Sequence, residues 1–181
     1  MAKITTMEAL FLDEIRDLYD AEKQLTKALP EMAKAASSVQ LRDAFAEHLE
    51  QTQAQVRRLE QIFEALGEKP TGKKCAAMTG LVKEGNEIVS ASNETPVRDA
   101  GLIAAAQKVE HYEISGYGSA RTHAGILGND GAVRLLEETL FEEKEANERL
   151  TELARYVIND QAARSSEVSA KSAGGSARGE W

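Results

Sequence analysis

Apolar residues recur at three- and four-residue steps along four long stretches of this chain. The first stretch runs through Leu10, Phe11, Ile15, Leu18, Leu25, Leu29 and Met32. The second runs through Leu41, Phe45, Leu49, Val56, Leu59, Ile62, Phe63 and Leu66. This spacing puts the apolar side chains on one stripe of an α-helix and does not suit the alternation of a strand. It predicts helices over about 6–36, 39–66, 96–126 and 131–159, with a shorter one over about 76–91 that Gly80 and Gly85 weaken. Thr5 with Glu8, and Ser37 with Gln40, have capping-box spacing. Gly67 and Pro70 form a stop signal, Thr95-Pro96 a cap followed by proline, and Gly128 to Gly131 a turn. Pro30 falls inside the first helix and should kink it or end it early. No segment reads as a strand. Two long helices, a crossover carrying a short one, and two more long helices define an all-α, four-helix bundle with one long crossover. A shift of 91 residues also sets Leu18 on Val109, Glu22 on Glu113 and Leu59 on Leu150, a faint internal repeat.

Composition narrows the function classes. Acidic residues outnumber basic ones 30 to 22, for a net charge of −8, and no basic stripe suggests a nucleic-acid surface. A single cysteine, Cys75, excludes an internal disulfide framework and a cysteine-only zinc site. No stretch has the apolar length of a membrane span, and the N-terminal residues lack the apolar core of a secretory leader. A cytoplasmic protein is the expectation. Residues 1–160 form the expected bundle. Residues 161–181 are rich in Ser, Ala and Gly, with Val168 and Trp181 as their large apolar groups, and are expected to be a disordered tail. A plain solubilising tail is the simpler reading, and docking through Trp181 the sharper one.

The informative residues are polar ones on the apolar stripes. Glu22 lies within the stripe of the first long helix, with Glu14 nearer its edge. His48 and Thr52 lie on the stripe of the second. In the third, Glu110, Glu113 and Tyr117 share a face with Ile103 and Ala106. In the fourth, Glu143 aligns with Thr139 and Leu150, while Glu142 is offset and Glu138 points away. Each residue has a plainer reading when taken singly. Glu22 could be ion-paired at the surface, His48 a core-edge histidine, and Glu110 with Glu113 a solvated face. Their coincidence near the middle of all four helices is less easily dismissed. Buried carboxylates need a partner, and no inward lysine or arginine stands at this level. A pair of divalent metal ions is the partner that fits. Four carboxylates and one imidazole form the oxygen-rich set that suits iron or manganese.

The stretches LFLDEIRDLYDAEKQLTKAL (10–29), AFAEHLEQT (44–52), RDAGLIAAAQKVEHYEISGY (98–117) and ETLFEEK (138–144) resemble the bacterial YciF-like branch of the ferritin-like superfamily. The resemblance covers roughly residues 5–160, and AAQKVEHYE is its most specific phrase. It implies a ferritin-like bundle, a homodimer, a di-metal carboxylate site and a role in bacterial stress. The ferritin-like pattern places a Glu on the first helix, Glu-x-x-His on the second, a Glu on the third and Glu-x-x-His on the fourth. Glu22 matches the first position, Glu110 or Glu113 the third, and His48 the second-helix histidine. Phe45 stands where the glutamate partner of His48 belongs, and Ala146 where a histidine would follow Glu143. The doubled carboxylates at 110 and 113 can compensate for these departures.

Three functions follow as expectations. The first is a metal-dependent redox protein, with two iron or manganese ions on Glu22, His48, Glu110, Glu113 and Glu143 reacting with peroxide or dioxygen. The second is iron sequestration, which the negative charge favours. The third is a non-enzymatic acidic helical dimer that binds a protein partner. The apolar set Leu81, Val82, Ile88 and Val89 on the crossover helix has either the bundle or a second subunit to cover it.

Overall fold

The structure is a computed structural model and describes residues 4–93 and 95–165. Five helices follow one another: α1 (Met7–Ala35), α2 (Val39–Ala65), α3 (Ala76–Ala91), α4 (Pro96–Ile126) and α5 (Asp130–Leu153). A π-helical turn, Ala154–Ile158, extends α5, and helix continues from it to residue 165. Among the described residues no strand occurs. The helical chain therefore runs five residues past the expected boundary at 160, and residues 166–181 of the expected tail lie outside the described residues.

The ends of the elements follow local chemistry. Thr6 caps α1 by accepting from the amide of Ala9, and Ser38 caps α2 by accepting from Leu41. Both caps stand one residue beyond the expected Thr5 and Ser37. Ser37 is otherwise engaged: its amide and hydroxyl both donate to the Asp99 carboxylate, at 2.8 and 2.6 Å. The amide of Ser38 donates to the same carboxylate at 2.8 Å, which ties the α1–α2 corner to the start of α4. Thr95 and Pro96 open α4 as expected. Gly67 and Gly128 adopt φ of +68° just after α2 and α4, a left-handed conformation that glycine takes without strain.

Pro30 does not end α1, which continues to Ala35. Its ring is exposed, so the missing amide costs one hydrogen bond near the helix end. Packing of Leu29, Met32, Ala33 and Ala35 into the core offsets that loss. The apolar residues of α3 are covered from within the chain. Leu81, Val82 and Val89 pack on the bundle core, and α3 lies against α1 and α4.

The four long helices form a ring in which α1 touches α2 and α4, and α5 touches α2 and α4. Two apolar clusters fill the interior. One contains Leu25, Leu29, Leu41, Phe45, Leu102, Ile103 and Leu150. The other contains Phe11, Ile15, Leu18, Leu59, Phe63, Tyr117 and Leu136. Along every long helix the stripe passes from one cluster to the other through a polar position: Glu22 on α1, His48 to Gln55 on α2, Glu110 and Glu113 on α4, and Glu143 on α5. The polar layer therefore crosses the middle of the bundle.

Candidate metal centre

All five sequence-selected residues are buried. Glu22, Glu113 and Glu143 are 0% exposed, Glu110 is 2% and His48 is 6%. His48, Glu110, Glu113 and Glu143 each offer a ligand atom, and these atoms all lie within 4.8 Å of one another. Such a group could hold a metal ion. Glu22 stands beside this quartet, and its charge raises the proton affinity of Glu113. Tyr117 on α4 donates its hydroxyl to Glu22 Oε1, giving the expected buried tyrosine a polar anchor.

His48 is held ready for a ligand role. Its Nδ1 lies 3.2 Å from Gln51 Oε1, a contact that suits the tautomer with its hydrogen on Nδ1. In the neutral ring Nε2 keeps its lone pair, and it lies 3.5 Å from Glu110 Oε1 and 3.7 Å from Glu143 Oε2.

The electrostatics of the layer are severe. Burial pushes Glu22 well above the carboxylate range, and the charge of Glu143 adds to it. Glu113 rises through burial and through the charges of Glu22, Glu143 and Glu110. Burial also raises Glu143, opposed by His48 and reinforced by Glu110. Glu110 is pushed up to about 8, chiefly by burial. With proton affinity raised at all four carboxyls, protons can take the place of a cation on this layer.

As carboxylates these groups lack donors. Both oxygens of Glu113 and of Glu143, Glu22 Oε2, Glu110 Oε2 and His48 Nε2 are buried without a hydrogen-bond partner. Seven such atoms converging on one layer fit a cation-binding site, because a buried acceptor without a donor costs about 1–3 kcal/mol, and more when charged.

Three neighbours were not picked out from the sequence. Gln55 is 0% exposed, and Arg58 donates to both oxygens of Glu142, at 2.7 Å each. Arg58 also reaches Glu138 at 2.6 Å, so this arginine is committed beside the layer rather than within it. Gln51 orients His48. The signal for Gln55 was present, since it continues the 48–52–55–59 stripe of α2. The pairing of Arg58 depends on α5 and has no signature in α2 alone.

Fold and site together define an all-α helical bundle with a buried histidine–carboxylate cluster across its middle. Residues 6–163 match the family described as a domain of unknown function, DUF892, and the chain belongs to that family. Protein YciF of Escherichia coli (strain K12) is 48% identical over 158 residues, spanning 87% of this chain and 95% of that protein. The crystal structure of the E. coli stress protein YciF superposes with a TM-score of 0.81, covering 83% of this chain and 96% of that one. YcfI from Rhodopseudomonas palustris is 47% identical with a TM-score of 0.80, covering 82% of this chain and 95% of that one. Among the described residues no helix is long and apolar enough to cross a membrane.

Proposed function

We propose that this chain is a ferritin-like carboxylate metalloprotein of the bacterial stress response, and that Glu22, His48, Glu110, Glu113 and Glu143 hold two divalent ions, iron or manganese. The observation that carries this reading is the convergence of unpartnered, buried ligand atoms from all four long helices. Oxygen-rich sets with one imidazole suit these metals. When bound, iron or manganese supplies redox chemistry toward peroxide or dioxygen. The chain's own residues hold the charge, keep water out and manage protons. Glu113 and Glu143 give up protons as ions bind, and Tyr117 steadies Glu22. Phe45 and Ala146 supply no ligand atoms, so one ion is held more tightly than the other. A cytoplasmic location and a homodimer belong to the same reading. Exposed apolar groups outside α3, among them Phe141, Ile126 and Tyr156, are left for a second subunit.

The test is peroxide consumption by protein loaded anaerobically with iron(II) or manganese(II). Metal-dependent consumption that disappears in Glu113→Ala and persists in Glu138→Ala supports the redox reading. Metal uptake without consumption shifts the function to sequestration. No metal uptake leaves the acidic helical dimer with a protein partner.

A further inference from the structure

A cleft of about 500 Å³ opens between α2 and α5 and ends on the buried layer. His48 and Glu110 line its inner end, and each keeps an unpartnered atom, Nε2 and Oε2. Glu22, Glu113 and Glu143 do not line it. The walls include Ala44, Phe45, Ala146 and Leu150, which offer a cation nothing to bind, and Gln51, whose Oε1 lies against His48 Nδ1. The outer lining differs: Glu47, Glu145, Glu148 and Glu152 surround a single cation, Arg149. Arg149 donates to Glu47, which joins α5 to α2 across the mouth. Glu145, Glu148 and Glu152 are exposed and make no ion pair among the described residues.

A second cleft, of about 300 Å³, lies between α1 and α4 and offers a contrast. It reaches none of the five candidate ligands, and its carboxylates are engaged. Asp13 takes Lys73 at 2.7 Å, Glu14 takes His123 at 2.8 Å, and Asp17 accepts from Tyr112. Free negative charge and unpartnered inner atoms coincide only on the α2–α5 side of these two.

We propose that the α2–α5 cleft is the route by which a hydrated divalent cation reaches the metal centre, an inference that rests on the metal-centre reading. The rim carboxylates concentrate the cation and begin to replace its water. Beyond the rim, the first ligand atoms it meets are those of His48 and Glu110. Phe45 and Ala146 keep the passage free of competing ligands.

Cobalt(II) uptake by the full chain, followed by stopped-flow absorbance, tests the route. Ala146→Trp should slow uptake roughly ten-fold or more while leaving final stoichiometry unchanged, and Ser115→Trp in the α1–α4 cleft should load at the wild-type rate. The triple variant Glu145→Gln, Glu148→Gln, Glu152→Gln alters exposed side chains and keeps the fold. It should also slow uptake by roughly ten-fold and lose most of the salt dependence. If Ala146→Trp loses helicity, the triple variant alone decides. Wild-type rates in the cleft and rim variants overturn the route, as does selective slowing in Ser115→Trp. If the wild-type chain takes no cobalt at all, the metal-centre reading fails and the route falls with it.

Discussion

Glu113 concentrates the cost of the buried layer. Neither of its oxygens has a donor, and three other carboxyls raise its proton affinity after burial has done so. Glu113→Gln keeps the shape and removes the need to take up a proton. Metal-free stability at neutral pH should rise by about 1–3 kcal/mol, read from urea unfolding, while metal affinity drops. Glu138→Gln removes an exposed partner of Arg58, whose bonds to Glu142 remain, and should change either quantity by no more than about 0.5 kcal/mol. Equal behaviour of the two variants would show that the inward face is misassigned. At this scale the sequence was highly legible. A charged residue on an apolar stripe is visible in one helix at a time, so Glu22, His48, Glu110, Glu113 and Glu143 could all be found. Arg58 could not, because its partners stand on another helix.

Among the elements, α3, α4 and the α1–α2 corner depend on contacts that periodicity does not carry. The bounds of α3 and α4 are those expected: Thr95 with Pro96 marks the start of α4, while the cap that Cys75 gives α3 by accepting from Met78 is seen only in the structure. The caps of α1 and α2 moved by one residue, and for α2 the cause is tertiary: Asp99 captures Ser37. Asp99→Ala leaves two amides and a hydroxyl without their acceptor at a part-buried corner. It should cost about 2–4 kcal/mol in unfolding free energy, with Asp99→Asn costing less because one acceptor remains. A loss below about 0.5 kcal/mol in Asp99→Ala would mean that the corner is held by packing alone. The π-helical turn after α5 was equally illegible. Residues 154–158 read as ordinary helix, and burial of Ile158 accompanies the changed winding.

For the whole molecule, the polar layer sets how stability depends on pH. A carboxyl whose folded pKa is raised binds more protons in the native state than in the unfolded state. Its contribution is complete below the unfolded value near 4.5 and is lost as pH rises through the folded value, about 8 for Glu110. Metal-free protein should therefore melt highest near pH 5 and lose at least about 4 °C by pH 8. Saturating manganese should flatten or reverse that slope, because metal binding releases the same protons and strengthens as pH rises. A metal-free melting temperature that climbs from pH 5 to 8 contradicts a buried layer of protonated carboxyls. The bundle and its crossover were legible from periodicity alone. What the layer binds was not, since protons and metal ions satisfy the same atoms.

Metal content separates those two occupants. The chain and its Glu113→Ala variant are incubated anaerobically with iron(II) or manganese(II) near neutral pH, stripped of loosely held ions by gel filtration, and assayed by elemental analysis. A two-ion centre predicts at least one ion retained per wild-type chain, a second held more weakly at higher metal concentration, and neither retained by Glu113→Ala. A wild-type chain that retains no metal, or a variant that retains as much as wild type, contradicts it.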